Sequence, residues 1–87
     1  EVDVGAQIEA MELEEKIGEA IASLPEKTRQ VFELNRFGGL KYREIAEQLN
    51  ISVKTVENQM SRALRILREK LLKYLVLLLW LVLNALN

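Results

Sequence analysis

The sequence predicts an all-α fold: a four-helix domain with a C-terminal helix-turn-helix, followed by an apolar helical tail. Three observations predict it. Apolar residues recur at steps of three and four, the spacing of one helix face. Breaks fall between the periodic segments, at Leu24-Pro25-Glu26, Gly38-Gly39 and Asn50-Ile51-Ser52. Of the 87 residues, 49% are apolar, enough for a small helical core. Residues 1–73 read as one helix-turn-helix domain and residues 74–87 as an apolar tail of unassigned role.

The first five residues are expected to be loose. From about residue 6 to 23 an amphipathic helix follows, because Ile8, Met11, Leu13, Ile17, Ala20, Ile21 and Leu24 share one side. Gly18 weakens it slightly. Its other side is acidic and would repel phosphate, so the helix belongs on the far side of the domain or against another protein. Pro25 suits the first position of a second helix, where a missing N–H costs nothing. Glu26 in that first turn suits the positive end of the helix dipole. Val31, Phe32, Leu34 and Phe37 offer its buried side. Gly38-Gly39 ends it, with one of the two glycines left-handed.

The stretch 41–68, KYREIAEQLNISVKTVENQMSRALRILR, organises the remainder. A short helix spans 42–49, with Ile45, Ala46 and Leu49 on its buried face. Lys41 is a poor N-cap for it, so Glu44 in the first turn must compensate. Asn50, Ile51 and Ser52 form a tight turn. Ser52 is a good N-cap for the next helix, since its hydroxyl can accept a free backbone N–H. That helix starts at Val53 and runs at least to Leu71. At 3.6 residues per turn, Val53, Val56, Met60, Leu64, Leu67 and Leu71 form one stripe. Thr55, Asn58, Arg62 and Arg65 lie near the opposite side, with Lys54 and Ser61 flanking. A wet helical hairpin has this pattern, and so has a helix-turn-helix whose second helix enters the major groove of DNA. Side-chain chemistry favours the second. Asn reads adenine by two bonds, Arg reads guanine, and Ser, Thr and Lys hold phosphates.

Charge is divided unevenly. Residues 1–26 carry eight acids and one base, and the rest carries eleven bases and five acids, within a net charge of −1. A basic part beside an acidic part suits an anionic partner approached from one side. Cysteine and histidine are both absent. There is thus no disulfide or thiolate metal site, which fits a reducing compartment. The usual proton shuttle and metal ligand is missing too. Asp3 is the single aspartate. No nucleophile–base pair, glycine-rich phosphate loop or carboxylate dyad occurs. The sequence therefore reads as a non-enzyme with no catalytic residue and no cofactor. It opens on Glu1 rather than Met, as a trimmed chain or a piece of a longer one would.

After Lys73 the composition changes abruptly to YLVLLLWLVL and then NALN. A membrane span needs ~20 apolar residues, about twice this run. The run is apolar all round, so no single packing face can bury it. It must lie in a groove of the domain, meet another copy through residues 74–86, or meet a different protein; a membrane surface is the least favoured site. Trp80 is a natural anchor in each case.

Taken together, LPEKTRQVFEL (24–34), RFGGLKYREIAEQLNIS (36–52) and VKTVENQMSRALRILREKL (53–71) resemble region 4 of bacterial RNA polymerase sigma factors, most closely the extracytoplasmic-function class. The resemblance covers residues 10–71. It implies a cytoplasmic four-helix domain that binds the −35 promoter element with its last helix. It also implies docking on the flap of the polymerase β subunit through the preceding helices, and an anti-sigma factor that competes for those surfaces. Carried over by position, Glu57, Asn58, Ser61 and Arg62 face the bases. Lys54 and Thr55 lie near the phosphates at the helix start, and Lys41, Tyr42 and Arg43 touch the backbone from the supporting helix. Arg65 extends the basic side. Several relatives have a base where this chain has Glu57. An acid there cannot read guanine but can accept from a cytosine amino group. The wheel sets Glu57 on the flank, where it can pair with a neighbouring Arg. The family's first domain, which opens the −10 region, is absent, so this stretch is expected to bind promoter DNA without starting transcription. The tail lies outside the matching motifs.

Two other functions fit parts of the sequence. Response-regulator output domains share the EIA…IS..TV pattern, but their approach segment reads Leu-Thr-x-Arg-Glu where this chain has Leu-Pro-Glu-Lys. A protein-interaction or oligomerisation module would use the acidic first helix and the tail, with the helix-turn-helix as scaffold only.

Overall fold

The computed structural model describes the backbone of residues 4–86 and the side chains of residues 11–86. Among the described residues there are four helices and no strand: α1 (Val4–Ala22), α2 (Glu26–Arg36), α3 (Tyr42–Leu49) and α4 (Val53–Ala85). The all-α class and the element order are as the sequence predicts. Helix α1 starts at Val4, within the stretch expected to be loose. Residues 1–3 and the side chain of Ile8 lie outside the described residues. The chain divides into two compact units, Leu24–Ile66 and the pair of segments Glu1–Ser23 and Leu67–Asn87.

In the unit Leu24–Ile66, Pro25 stands one position earlier than expected. Its backbone is extended at φ −53° and ψ 144°, so it precedes α2 as the N-cap. Its carbonyl accepts the Arg29 N–H at 2.8 Å. Thr28, Val31 and Phe32 are the buried residues of α2. Leu34 is only half-buried. Phe37, expected inside, is 70% exposed. It follows the last helical residue, where the chain swings away, and its ring is left edge-on to Phe32 with centroids 6.3 Å apart. The swing depends on both glycines. A Cβ on Gly38 would come within 2.7 Å of the Leu34 carbonyl oxygen, and Gly39 is left-handed at φ +69°.

Ile45 and Ala46 form the buried face of α3, which packs on α2. Asn35 ties the link between these helices by donating to the Leu40 carbonyl at 2.9 Å. In α4 the expected stripe holds at Val56 and Met60, gains Ala63 and loses its edge at Val53 and Leu64. Val56, Met60 and Ala63 are 0–1% exposed, whereas Val53 is 41% exposed and Leu64 is only half-buried. Counting bulky side chains biases a wheel toward leucine. Packing instead selects Ala63, whose small side chain allows a close approach.

In the other unit, Ala20 and Leu67 are buried, and Ile21, Leu71 and Tyr74 are half-buried. The expected apolar side of α1 closes only at its C-terminal end, since Met11 is 67% exposed and Leu13 and Ile17 are each 37% exposed. The Lys16 ammonium stands over the Tyr74 ring, 5.9 Å from its centre. Lys70 donates to the Ser23 hydroxyl. Beyond Tyr74, α4 simply continues to Ala85, with every residue from Leu75 to Leu86 exposed. The tail therefore lies in no groove of the described residues. No described helix is long and apolar enough to cross a membrane.

Candidate nucleic-acid interface

The turn between α3 and α4 is tightly fixed by its own residues. Asn50 is left-handed, at φ 54° and ψ 49°, a conformation that asparagine tolerates better than most side chains. Ile51 then donates to the Ala46 carbonyl at 3.0 Å, and Asn50 to Glu47 at 3.3 Å. These bonds satisfy carbonyls that the end of α3 would leave unpaired. Ser52 caps α4 as expected, its hydroxyl oxygen accepting the Thr55 N–H at 3.0 Å. At the start of α3, Lys41 offers no acceptor. The Glu44 carboxylate reaches back to the Lys41 N–H at 2.8 Å. Both helices are thus stopped and started by local bonds, which sets the bend between them.

Past this turn, Lys54, Glu57, Asn58, Ser61, Arg62 and Arg65 are all exposed. They project away from the Val56, Met60 and Ala63 stripe, so burying that stripe turns them outward. Lys41 and Arg43 are exposed beside the start of α3, and Tyr42 is half-buried. Among the described residues no acid lies within ion-pair distance of Arg43, Arg62 or Arg65. Their guanidinium donors are available to a partner.

Two positions differ from expectation. Thr55 is not on the outward side. It is half-buried, lines a cleft of about 330 Å³ with Lys27, Gln30, Leu49 and Ile51, and holds its hydroxyl 2.9 Å from that of Ser52. Glu57 pairs with Lys54, at 3.8 Å, rather than with an arginine. Lys54 stands one turn below it on the same ridge, while Arg62 is five residues on and off that ridge.

One residue that positions α4 is not marked by the apolar spacing of the sequence. Thr28, 1% exposed, is the buried polar residue of this core. Its hydroxyl donates to the Gln59 side-chain oxygen at 2.6 Å, pinning α2 to the inner side of α4. The available signal was its spacing: Thr28 precedes Val31 and Phe32 by three and four residues, on their face.

A helix entered through a fixed bend and carrying amide, hydroxyl and guanidinium groups outward has the form of a major-groove reader. Residues 14–67 match the family model described as Sigma-70, region 4. No curated protein sequence matches the chain.

Proposed function

Because the chain belongs to the Sigma-70 region 4 family, we propose that it recognises the −35 promoter element with the outward side of α4, as the promoter-binding part of a sigma factor. The family is one of DNA-binding regulatory domains rather than enzymes. The observation that carries the reading is the free state of Asn58, Arg62 and Arg65: exposed, unpaired by acids among the described residues, and backed by a fully buried stripe. In this reading Asn58, Ser61 and Arg62 contact base edges and Glu57 accepts from a cytosine amino group. Lys54, Lys41, Arg43 and Tyr42 hold the phosphate backbone, Arg65 adds charge along the groove, and Thr55 braces the turn close to it.

The finer parts of the proposal rest on the family resemblance. The chain is of the extracytoplasmic-function class, works in the cytoplasm, and docks on the polymerase β flap through the helices before α4. An anti-sigma factor competes for these surfaces. Residues 1–73 carry the DNA-binding role, and 74–87 are separate from it.

Selection of bound duplexes from a random pool tests the central claim. A single enriched motif is expected, with affinity that falls steeply as salt rises, because phosphate contacts release counterions. Equal affinity for random and selected duplexes, unchanged by Asn58→Ala or Arg62→Ala, would sink the assignment.

A further inference from the structure

We propose that the C-terminal part of α4 is a self-association helix whose occupant is a second copy of this chain. The inference does not rest on the DNA-binding reading, because it uses only the segment after Leu71. There, Leu72, Val76, Leu79, Leu83 and Leu86 follow one another at steps of four and three. That is the spacing of a helix–helix seam. These five side chains are 58, 57, 59, 55 and 78% exposed. A shallow groove between Leu72, Lys73, Val76, Leu77 and Trp80 runs alongside them, a hole of the kind a partner side chain fills.

The area involved decides what the segment can remain. Eleven large apolar side chains between Leu72 and Leu86 are each more than a third exposed. Together they present on the order of 1,000 Å², against the ~300–600 Å² of the largest apolar patch on a typical monomer. A stable interface buries ~800 Å² per partner; one seam of this helix carries roughly half of the exposed apolar area, so a copy-on-copy contact here is a small one that dilution should dissociate.

Two further observations fit an apolar helix as the occupant, and a second copy of the chain supplies one. No charged residue occurs from Tyr74 to Asn87. Beyond Lys73 the segment thus offers no charge for a polar or anionic partner to read, and its complement is another uncharged apolar helix, which this chain itself supplies. In addition, Asn84 donates its side-chain N–H to the Trp80 carbonyl at 2.8 Å. The amide on this stretch is therefore engaged within its own helix and opposes burial less than a free one would.

The test is sedimentation of the unmodified chain over a hundredfold concentration range, alongside the double substitution Val76→Glu with Leu83→Glu. The unmodified chain should show a discrete multiple of the monomer mass, dissociating on dilution. The variant should be monomeric with unchanged helicity by circular dichroism, because association would bury its two carboxylates in the seam. A monomer at every concentration, an open-ended aggregate, or a variant that keeps the multiple would each overturn the proposal. So would a monomer that co-sediments with phosphatidylcholine vesicles, since a lipid surface would then be the occupant. The unmodified chain's own mass decides the matter even if the variant fails to fold.

Discussion

The first and last stretches of α4 obey the same spacing and carry opposite chemistry. Lys54, Asn58, Ser61 and Arg65 succeed one another at steps of four, three and four; so do Leu72, Val76, Leu79 and Leu83. All eight are exposed. In the first set every side chain ends in a hydrogen-bonding group, while in the second none does. Periodicity decides which residues share a face, and side-chain type decides what that face can meet. The backing differs as well. Behind the first set lie Val56, Met60 and Ala63, essentially sealed. On the tail the residues beyond Tyr74 are exposed on all sides.

The largest expected effect strikes the sealed side alone. Ile45 is 0% exposed, and truncating such a side chain costs ~2–5 kcal/mol. Ile45→Ala should lower the unfolding free energy, read from a urea titration, by that amount and weaken DNA binding through loss of the fold. A loss under ~1 kcal/mol would show that the core behind the outward face is less closed than its burial indicates.

Next comes the polar face itself. Arg62→Ala should cost ~1–3 kcal/mol of binding at one or two base positions of the selected duplex and little elsewhere. Arg43→Ala, by contrast, should weaken all duplexes alike and reduce the salt slope by about one unit. If the two substitutions behaved identically across a panel of single-base variants, the division into base-reading and backbone-holding residues would fail.

How far the sequence alone foretold this molecule differs from feature to feature. Helix order, the bend at Asn50 and both local caps were legible, because they depend on residues within four positions of one another. Phe37 and Ala63 were not. Whether a side chain is buried at a helix end, or which of two apolar residues faces the core, depends on neighbours remote in sequence. The Thr28–Gln59 bond spans 31 residues; the spacing of Thr28 from Val31 and Phe32 marks the face it shares with them, but nothing local marks the partner it meets there. At the candidate interface, Asn58, Arg62 and Arg65 were legible as outward residues from the helical spacing, and Ser61 as a flanking one. Thr55 was misplaced because its hydroxyl serves the turn, a local bond that a wheel does not represent.

The cap and the buried bond should rank below the groove residues. Ser52→Ala removes the acceptor for the Thr55 N–H and should cost ~1 kcal/mol, read from thermal melting. Thr28→Val keeps the volume but leaves the half-buried Gln59 oxygen without its donor. It should cost about 0.5–1.5 kcal/mol. Because both act on how α4 is set rather than on what it presents, each should weaken binding without moving the preferred sequence. A shift in preferred bases for either would show that Ser52 or Thr28 takes part in recognition.

The smallest effect on stability should be the most informative about specificity. Glu57 and Lys54 form an exposed pair at 3.8 Å, and such pairs contribute about 0–1 kcal/mol. Glu57→Gln should therefore leave melting almost unchanged. If the outward face of α4 meets DNA as proposed, the same substitution removes a negative charge from it and frees Lys54 to hold a phosphate, so overall affinity should rise. In the proposed reading the side chain also loses the carboxylate that would accept from a cytosine amino group. The glutamine that replaces it can bond adenine by two bonds. Tighter binding with a cytosine-to-adenine change at a single position would identify Glu57 as a base reader. Tighter binding with no change of preference would instead make it a local counter-charge for Lys54, leaving the reading of sequence to Asn58, Ser61 and Arg62.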